Sequence, residues 1–252
     1  VPARIMARPL PASSSMPPDF QQQMRRLIPR MDEQGFAFIQ AQEMRELLDE
    51  VGAIDDWKAF AASWDDLAVD TYMADQGRYR RRRYAVYRAG RQGPIGRCEH
   101  QPHFQTLTYN PLHGDIERWF EPITEAVGKA DSLRTVIRFA RRCFGQRAES
   151  AQAWHIEVHQ FRIEAHPDRP GMPTPEGMHR DGVDFVLVLM INRCNIASGT
   201  TTIHGLEGAE LGSFTLTDAF DAALVDDHRV YHGVTPVEPV DPAQPSYRDV
   251  LV

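Results

Sequence analysis

The stretch GMHRDGVDFVLVLM, residues 177–190, sets His179 and Asp181 one residue apart just before an apolar run over 186–191. A short, unbroken run of β-branched and aliphatic residues behind turn residues is the pattern of a buried strand. In extended chain, side chains two residues apart share a face. The His179 imidazole and the Asp181 carboxylate can therefore meet one ion at the mouth of that strand. A lone His-x-Asp pair often arises by chance, so its meaning depends on what the rest of the chain brings to it.

Beyond residue 150 short β-like runs follow one another: QAWHIEVHQFRI, VDFVLVLMI, TTTIHG, GSFTL, DAALV, RVYHGVTPV and YRDVLV, divided by Gly, Pro, Asp and Asn. That spacing indicates a sandwich or barrel. The chain before residue 150 reads as helical. Phe20, Met24, Leu27 and Ile28 fall at helical spacing behind the N-cap candidate Asp19, and Pro29 is expected to end or kink that element. Met44, Leu47, Leu48 and Val51 share a face that closes on Gly52. Further helices are expected over DWKAFAASWDDL, from about Asp115, and from Asp131 to Gly145 with Arg141 and Arg142 in the last turns, where cations favour the helix dipole. The expected fold class is α+β with a mainly β core. A disordered tail over 1–18 precedes one domain over 19–252, helical to about 150 and β from about 151.

A length of 252 residues suits one substantial core. With 42% hydrophobic and 25% charged residues, global disorder is excluded. The net charge of −7 and pI near 5.8 argue against a general nucleic-acid binder. The local exception is RYRRRRYAVYRAG, 78–90, which as a strand sends Arg81 and Arg83 to one face and Arg80, Arg82 and Arg88 to the other. Two readings stand: an exposed edge strand charged against aggregation, or a carboxylate clamp at a pocket rim. Cys98, Cys143 and Cys194 lack metal-ligand spacing and fit reduced thiols. No segment approaches a membrane span and the N-terminal stretch lacks the apolar core of a secretory signal. A cytoplasmic location is expected.

Of ten histidines, His100, His103, His113, His166 and His204 default to structural or surface roles. His179 and Asp181 gain company from His232 in DDHRVYHGVTPV and Arg248 in SYRDVLV. Two histidines and a carboxylate on one face of a metal leave the opposite positions open, as in non-haem Fe(II) oxygenases. An arginine on a neighbouring strand can clamp the carboxylate of a co-substrate. His228, four residues before His232, is a rival ligand; the spacing to Arg248 and the HGVTP context favour His232. In the strand HIEVHQFRI alternation groups Glu157 with His159 and Gln160 with Arg162, and either pair can border a substrate or co-substrate pocket. Thr200 to Thr202 could add hydroxyls, although threonine is common in strands.

The motifs WHIEVHQFRI, PTPEGMHRDGVDFV, RVYHGVTPV and YRDVLV, together with the upstream QTLTYNPLHGDIERWFEPI, resemble the Fe(II)/2-oxoglutarate dioxygenases, and within them the branch that hydroxylates free amino acids. The resemblance implies a double-stranded β-helix, or jelly roll, buttressed by N-terminal helices. It implies His179, Asp181 and His232 as iron ligands, Arg248 as the partner of the distal carboxylate of 2-oxoglutarate, and O2 as the other co-substrate. It also implies a small aliphatic L-amino acid as substrate, with Arg83, Arg118, Arg162 and Glu157 as candidates to meet its charged ends. Members of that family continue several residues past the position of Val252. Two other readings remain: a different metal on a cupin-like scaffold, and a binding or sensing protein, since a biofilm- and stress-related protein falls in the same broad grouping. Nothing in the sequence indicates a protein partner or an oligomeric state.

Overall fold

The structure is a computed structural model that describes residues 18–72, 79–106 and 115–252, with side chains from residue 21. The tail expected over 1–18 lies outside the described residues except for Pro18. So do the side chains of Asp19 and Phe20, and all of Arg78 and His113. In chain order the elements are α1 (Pro18–Gln34), β1 (Phe36–Ile39), α2 (Ala41–Asp49), α3 (Trp57–Ala62), β2 (Ala68–Val69), β3 (Arg80–Gly90), β4 (Ile95–Arg97), α4 (Glu125–Lys129) and α5 (Asp131–Gly145). There follow β5 (Ala153–Glu164), β6 (Phe185–Cys194), β7 (Ile196–Ser198), β8 (Thr200–Gly205), β9 (Glu210–Thr215), β10 (Ala222–Asp226), β11 (Val230–Val234), β12 (Val237–Pro239) and β13 (Tyr247–Leu251).

The main sheet runs β1-β10-β6-β13-β5-β3-β2, with β4 on β3, and every pair is antiparallel. A smaller sheet, β11-β8-β9, faces it. Between the two lie Phe36, Val186 and Val225 of the main sheet against Ile203 and Val230 of the small one, with Met190, Val250 and Leu216 beside them. The outer face of the main sheet (Ala85, Tyr87, Val158, Leu187, Leu189, Leu224) packs on Met44, Leu47, Leu48, Phe60, Leu133, Val136 and Phe139 of the helices. Apolar contact on both faces is why β6 and β10 read as unbroken apolar runs. The result is a jelly roll with helices covering one sheet.

Three sequence expectations change. α1 continues past Pro29 to Gln34; Met24, Leu27 and Met31 are buried on both sides of the proline, and that packing outweighs a cost of about 3 kcal/mol. The helix expected from about Asp115 does not form. Asp115 has φ 58, Glu121 precedes Pro122 and is biased toward extended backbone, and the segment instead bridges His103 to Arg118 and Tyr84 to Pro122. Only α4 is helical there, capped by Thr124, whose hydroxyl accepts from the Val127 N–H.

Third, the arginine-rich run is not an exposed edge. β3 pairs with β5 along its whole length, and Arg80 and Arg82 point inward and are buried. With β1, β2 and β4, it places four strands in the half of the chain that reads as helical. No helix among the described residues is long and apolar enough to cross a membrane, and the three cysteines are free thiols.

Candidate active site

The segment 177–183 leads into β6 through Gly177 and Gly182, both at positive φ (80° and 82°), where a side chain would be strained. Between them the backbone of His179 exchanges two 2.9 Å hydrogen bonds with that of His232 on β11. The two imidazoles therefore stand side by side, ring centroids 4.4 Å apart. Asp181 meets both: Oδ1 is 3.5 Å from His179 Nε2 and Oδ2 is 3.4 Å from His232 Nε2. One ligand atom from each of the three lies within 4.8 Å of the others. His228, the rival, is elsewhere, its Nε2 2.9 Å from Asp184 in an exposed pair.

Asp227, 1% exposed, holds the turn in place. Its Oδ1 accepts from the Asp181 N–H (2.9 Å), and its Oδ2 from those of Gly182 (2.7 Å) and Val183 (3.2 Å). Hydrogen bonds to a charged group contribute about 1.5–3 kcal/mol each, so this carboxylate fixes the direction in which Asp181 points. Burial, with Asp181 nearby, raises the Asp227 pKa against those donors.

The donor set fits a divalent metal. His179 Nδ1 lies 3.1 Å from the Gly177 carbonyl. A carbonyl only accepts, so Nδ1 carries the proton and Nε2 is the atom offered toward Asp181. Burial disfavours charge on His179, yet its hydrogen bond to Asp181 and that carboxylate's charge outweigh it and raise the pKa to about 9. Asp181 is held well below the usual range, burial being outweighed by the two imidazoles. The pocket thus favours positive charge beside Asp181, and a metal ion can take the place of the proton.

Arg248 on β13 is 3% exposed, and its guanidinium has no hydrogen-bond or ion-pair partner among the described residues. Burial, with Arg193 nearby, presses its pKa down to about 10, so it stays charged at neutral pH. A buried charge without a partner is costly, and this one lines the cavity that holds the His-Asp-His group. A carboxylate arriving there would relieve that cost.

Pairing with β3 settles which face of β5 meets the cavity. Arg80, Arg82 and Tyr84 lie beside Ile163, Phe161 and His159 on the inner face, so Glu157 and His159 line the cavity. Gln160 and Arg162 alternate to the outer face, where Gln160 donates to Ser63 and Arg162 pairs with Asp249 and Asp65; the structure does not bring them to the site. Arg83 is also outside, on Asp66 and the Pro122 carbonyl. Arg118, by contrast, is buried and lines the cavity, as does Thr201.

Inside, His103, Glu157 and His159 form a second group with ligand atoms within 4.8 Å of one another. Glu157 Oε1 accepts from the Tyr84 hydroxyl at 2.9 Å, and Oε2 is 2.9 Å from His103 Nδ1 and 3.7 Å from His159 Nε2. Burial opposes its charge, but these imidazoles dominate and keep the carboxyl strongly ionised. Arg82 Nη2 lies 2.6 Å from His159 Nδ1. Arginine only donates, so Nδ1 must accept and Nε2 carries the proton. That nitrogen has no lone pair for a metal, and the group is a cradle for a carboxylate.

The cavity walls near the two groups include Pro173, Val183, Val188, Leu216 and Val234. Five polar residues went unread in the sequence. Asp227 sat inside the quoted DDHRVYHGVTPV, and Glu176, whose Oε1 is 3.5 Å from His179 Nε2, inside PTPEGMHRDGVDFV. Tyr84 and Gln105 also sat inside quoted stretches, without a role, and Asp70 carries no local signal.

A family model described as 2OG-Fe dioxygenase matches residues 61–252. The 3(1)-hydroxy-L-isoleucine 4-dioxygenase of Pantoea ananatis (strain AJ13355) is 26% identical over 230 residues, 88% of this chain and 92% of that protein. Among solved structures, a bsmA homologue from Methylobium petroleophilum PM1 has a TM-score of 0.83 at 35% identity, covering 90% of both chains. IDO from Bacillus thuringiensis, 16% identical, shares the fold with a TM-score of 0.74 over 90% of this chain and 96% of its own. The chain belongs to the 2OG-Fe dioxygenase family, and is a 2-oxoglutarate-dependent dioxygenase that uses Fe(II) and O2.

Proposed function

We propose that His179, Asp181 and His232 hold the Fe(II), that Arg248 receives the distal carboxylate of 2-oxoglutarate, and that the substrate is a free aliphatic L-amino acid, hydroxylated on its side chain. The observation that carries the assignment of the site is the unpartnered, buried Arg248 in the same cavity as the His-Asp-His group. A hydrolase or isomerase on this scaffold has no need of such a charge. Bound at the three ligands, the iron with 2-oxoglutarate and O2 supplies an oxidant that hydroxylates an unactivated carbon while the co-substrate becomes succinate and CO2.

The chain's own residues bind, orient and exclude water. Arg248 fixes one end of the co-substrate, and Asp227 keeps the Asp181 carboxylate aimed at the ligand position. An amino-acid substrate is supported by a cavity wall that carries both buried cations and the ionised Glu157, with apolar side chains beside them. The name of the Pantoea ananatis relative, a hydroxy-L-isoleucine dioxygenase, points the same way.

The test is anaerobic addition of Fe(II) and 2-oxoglutarate, followed by O2 and quantified succinate with a panel of L-amino acids. A weak visible charge-transfer band and succinate stimulated by an aliphatic amino acid are the expected results. A band without stimulation by any amino acid would overturn the substrate, and no band with iron bound would overturn the site.

A further inference from the structure

Three buried arginines, Arg80, Arg82 and Arg118, line the same cavity as Glu157's cradle, and two of them are already engaged. Arg80 donates to Asp70 at 2.8 Å. Arg82 is 3.5 Å from the same carboxylate and bonded to His159. Arg118 has no carboxylate within ion-pair distance among the described residues, and its Nε meets no acceptor there. At 2% exposure, with its pKa lowered by burial and by Arg80 against the more distant carboxylates of Asp70, Glu176 and Glu157, it is a buried charge whose side-chain hydrogen-bonding company among the described residues is neutral.

That neutral company is Gln105. Arg118 Nη2 donates to Gln105 Oε1 at 2.7 Å, and Gln105 Nε2 donates to the backbone carbonyl of Asp181 at 3.0 Å. The orientation of the amide is not open to a flip, because arginine can only donate and a carbonyl can only accept. Two backbone hydrogen bonds of 3.0 Å between Arg118 and His103 place this arginine beside the histidine that contacts Glu157. One bridge thus presents a cation next to a group that braces an anion.

We infer that Arg118 receives the carboxylate of the substrate, and that Gln105 is a positioning residue that orients this guanidinium and ties it to the turn carrying Asp181. The inference rests on the amino-acid reading above and names the residue that discriminates for a free carboxylate. Gln105 makes the substrate's anionic end and a metal ligand parts of one hydrogen-bonded unit. A substrate carboxylate that misses Arg118 leaves the guanidinium unneutralised beside that unit.

The experiment uses the full chain loaded with redox-inert Mn(II) and 2-oxoglutarate, titrated calorimetrically with L-isoleucine and with L-isoleucinamide, which has no carboxylate. Arg118→Met is expected to weaken L-isoleucine binding about tenfold or more, as for loss of a charge-assisted hydrogen bond, while the amide, weak for the wild type, changes little. Gln105→Glu keeps the shape but gives Arg118 an internal carboxylate. It should weaken L-isoleucine by a similar factor, whereas a packing role predicts that this isostere binds like wild type. Mn(II) affinity measured without amino acid should fall a few-fold in Gln105→Ala, where the Asp181 carbonyl loses its donor, and stay unchanged in Arg118→Met.

Wild-type binding of L-isoleucine with both Arg118→Met and Gln105→Glu unaffected would overturn the inference and leave the amino-acid reading standing. No binding by the wild type of any aliphatic L-amino acid would remove that reading, and the inference with it.

Discussion

Two groups of two histidines and a carboxylate face the same cavity, and they differ in what lies behind one ring. In His179-Asp181-His232 the far nitrogen of His179 meets a carbonyl oxygen. In His103-Glu157-His159 the far nitrogen of His159 meets an arginine. An acceptor behind the ring turns a lone pair toward the carboxylate, and a donor behind it turns a proton there. Residue type and spacing within each group are similar, so the outer neighbour separates a metal site from a hydrogen-bonded cradle.

The largest effect that tests this contrast is loss of a proposed metal ligand. His179→Ala or Asp181→Ala is expected to abolish succinate formation and one equivalent of bound Mn(II), with the far-ultraviolet circular dichroism unchanged, while His103→Ala keeps the full equivalent. Metal counting on the two sets of variants checks it; equal losses would erase the distinction. Next, Arg82→Met removes the donor behind His159 and should let the second group take a metal. Two equivalents of Co(II) or Zn(II) are expected in place of one, and a single equivalent would show that something other than Arg82 keeps metal out.

A smaller effect is expected from Asp227→Asn. An amide presents one acceptor where three backbone N–H groups need two, so the turn at Asp181 loosens. Metal affinity should fall about tenfold, as is typical of a lost residue behind a ligand, and unchanged affinity would demote Asp227 to a folding role. The finest measurement is the titration of His159. Burial, with Arg82 beside it, pushes its pKa down to about 3, against 6.5 for the free side chain. The unfolded chain takes up this proton near pH 6.5 and the folded protein does not until about 3. The stability associated with the neutral ring is therefore complete above pH 6.5 and is lost as pH falls from there toward 3. Imidazole resonances of His159 should stay in the neutral form down to pH 5, and in Arg82→Met should titrate at higher pH.

The grouping of His179, Asp181 and His232 was legible because the first two lie two residues apart at a strand mouth, where period and burial are local properties. The inner face of β5 was not. Alternation sorts Glu157 and His159 from Gln160 and Arg162 equally well for either orientation, and what decides it is Asp70, across two strands, drawing Arg80 and Arg82 inward. β1 escaped notice because four residues between two helical patterns become a strand only by pairing with β10. The helix expected from Asp115 had the right apolar spacing, but Pro122 and the bridge to His103 outweighed it. Gln105 opens the quoted QTLTYNPLHGDIERWFEPI, but nothing local gave it a role, since its partner Asp181 is 76 residues away.

The position of β13 has a consequence for biosynthesis. It follows the other described strands in sequence, yet it lies between β6 and β5 in the middle of the main sheet, and it carries Arg248. A nascent chain synthesised as far as β12 holds β5 and β6 with facing backbone edges that nothing yet joins. Such edges are open to mispairing. The ribosome must deliver β13 before the sheet can close, so a chain that has already gathered all three proposed metal ligands still lacks the proposed co-substrate clamp. Metal capture can precede the ability to hold 2-oxoglutarate, and oxidative chemistry has to wait for the sheet to be complete.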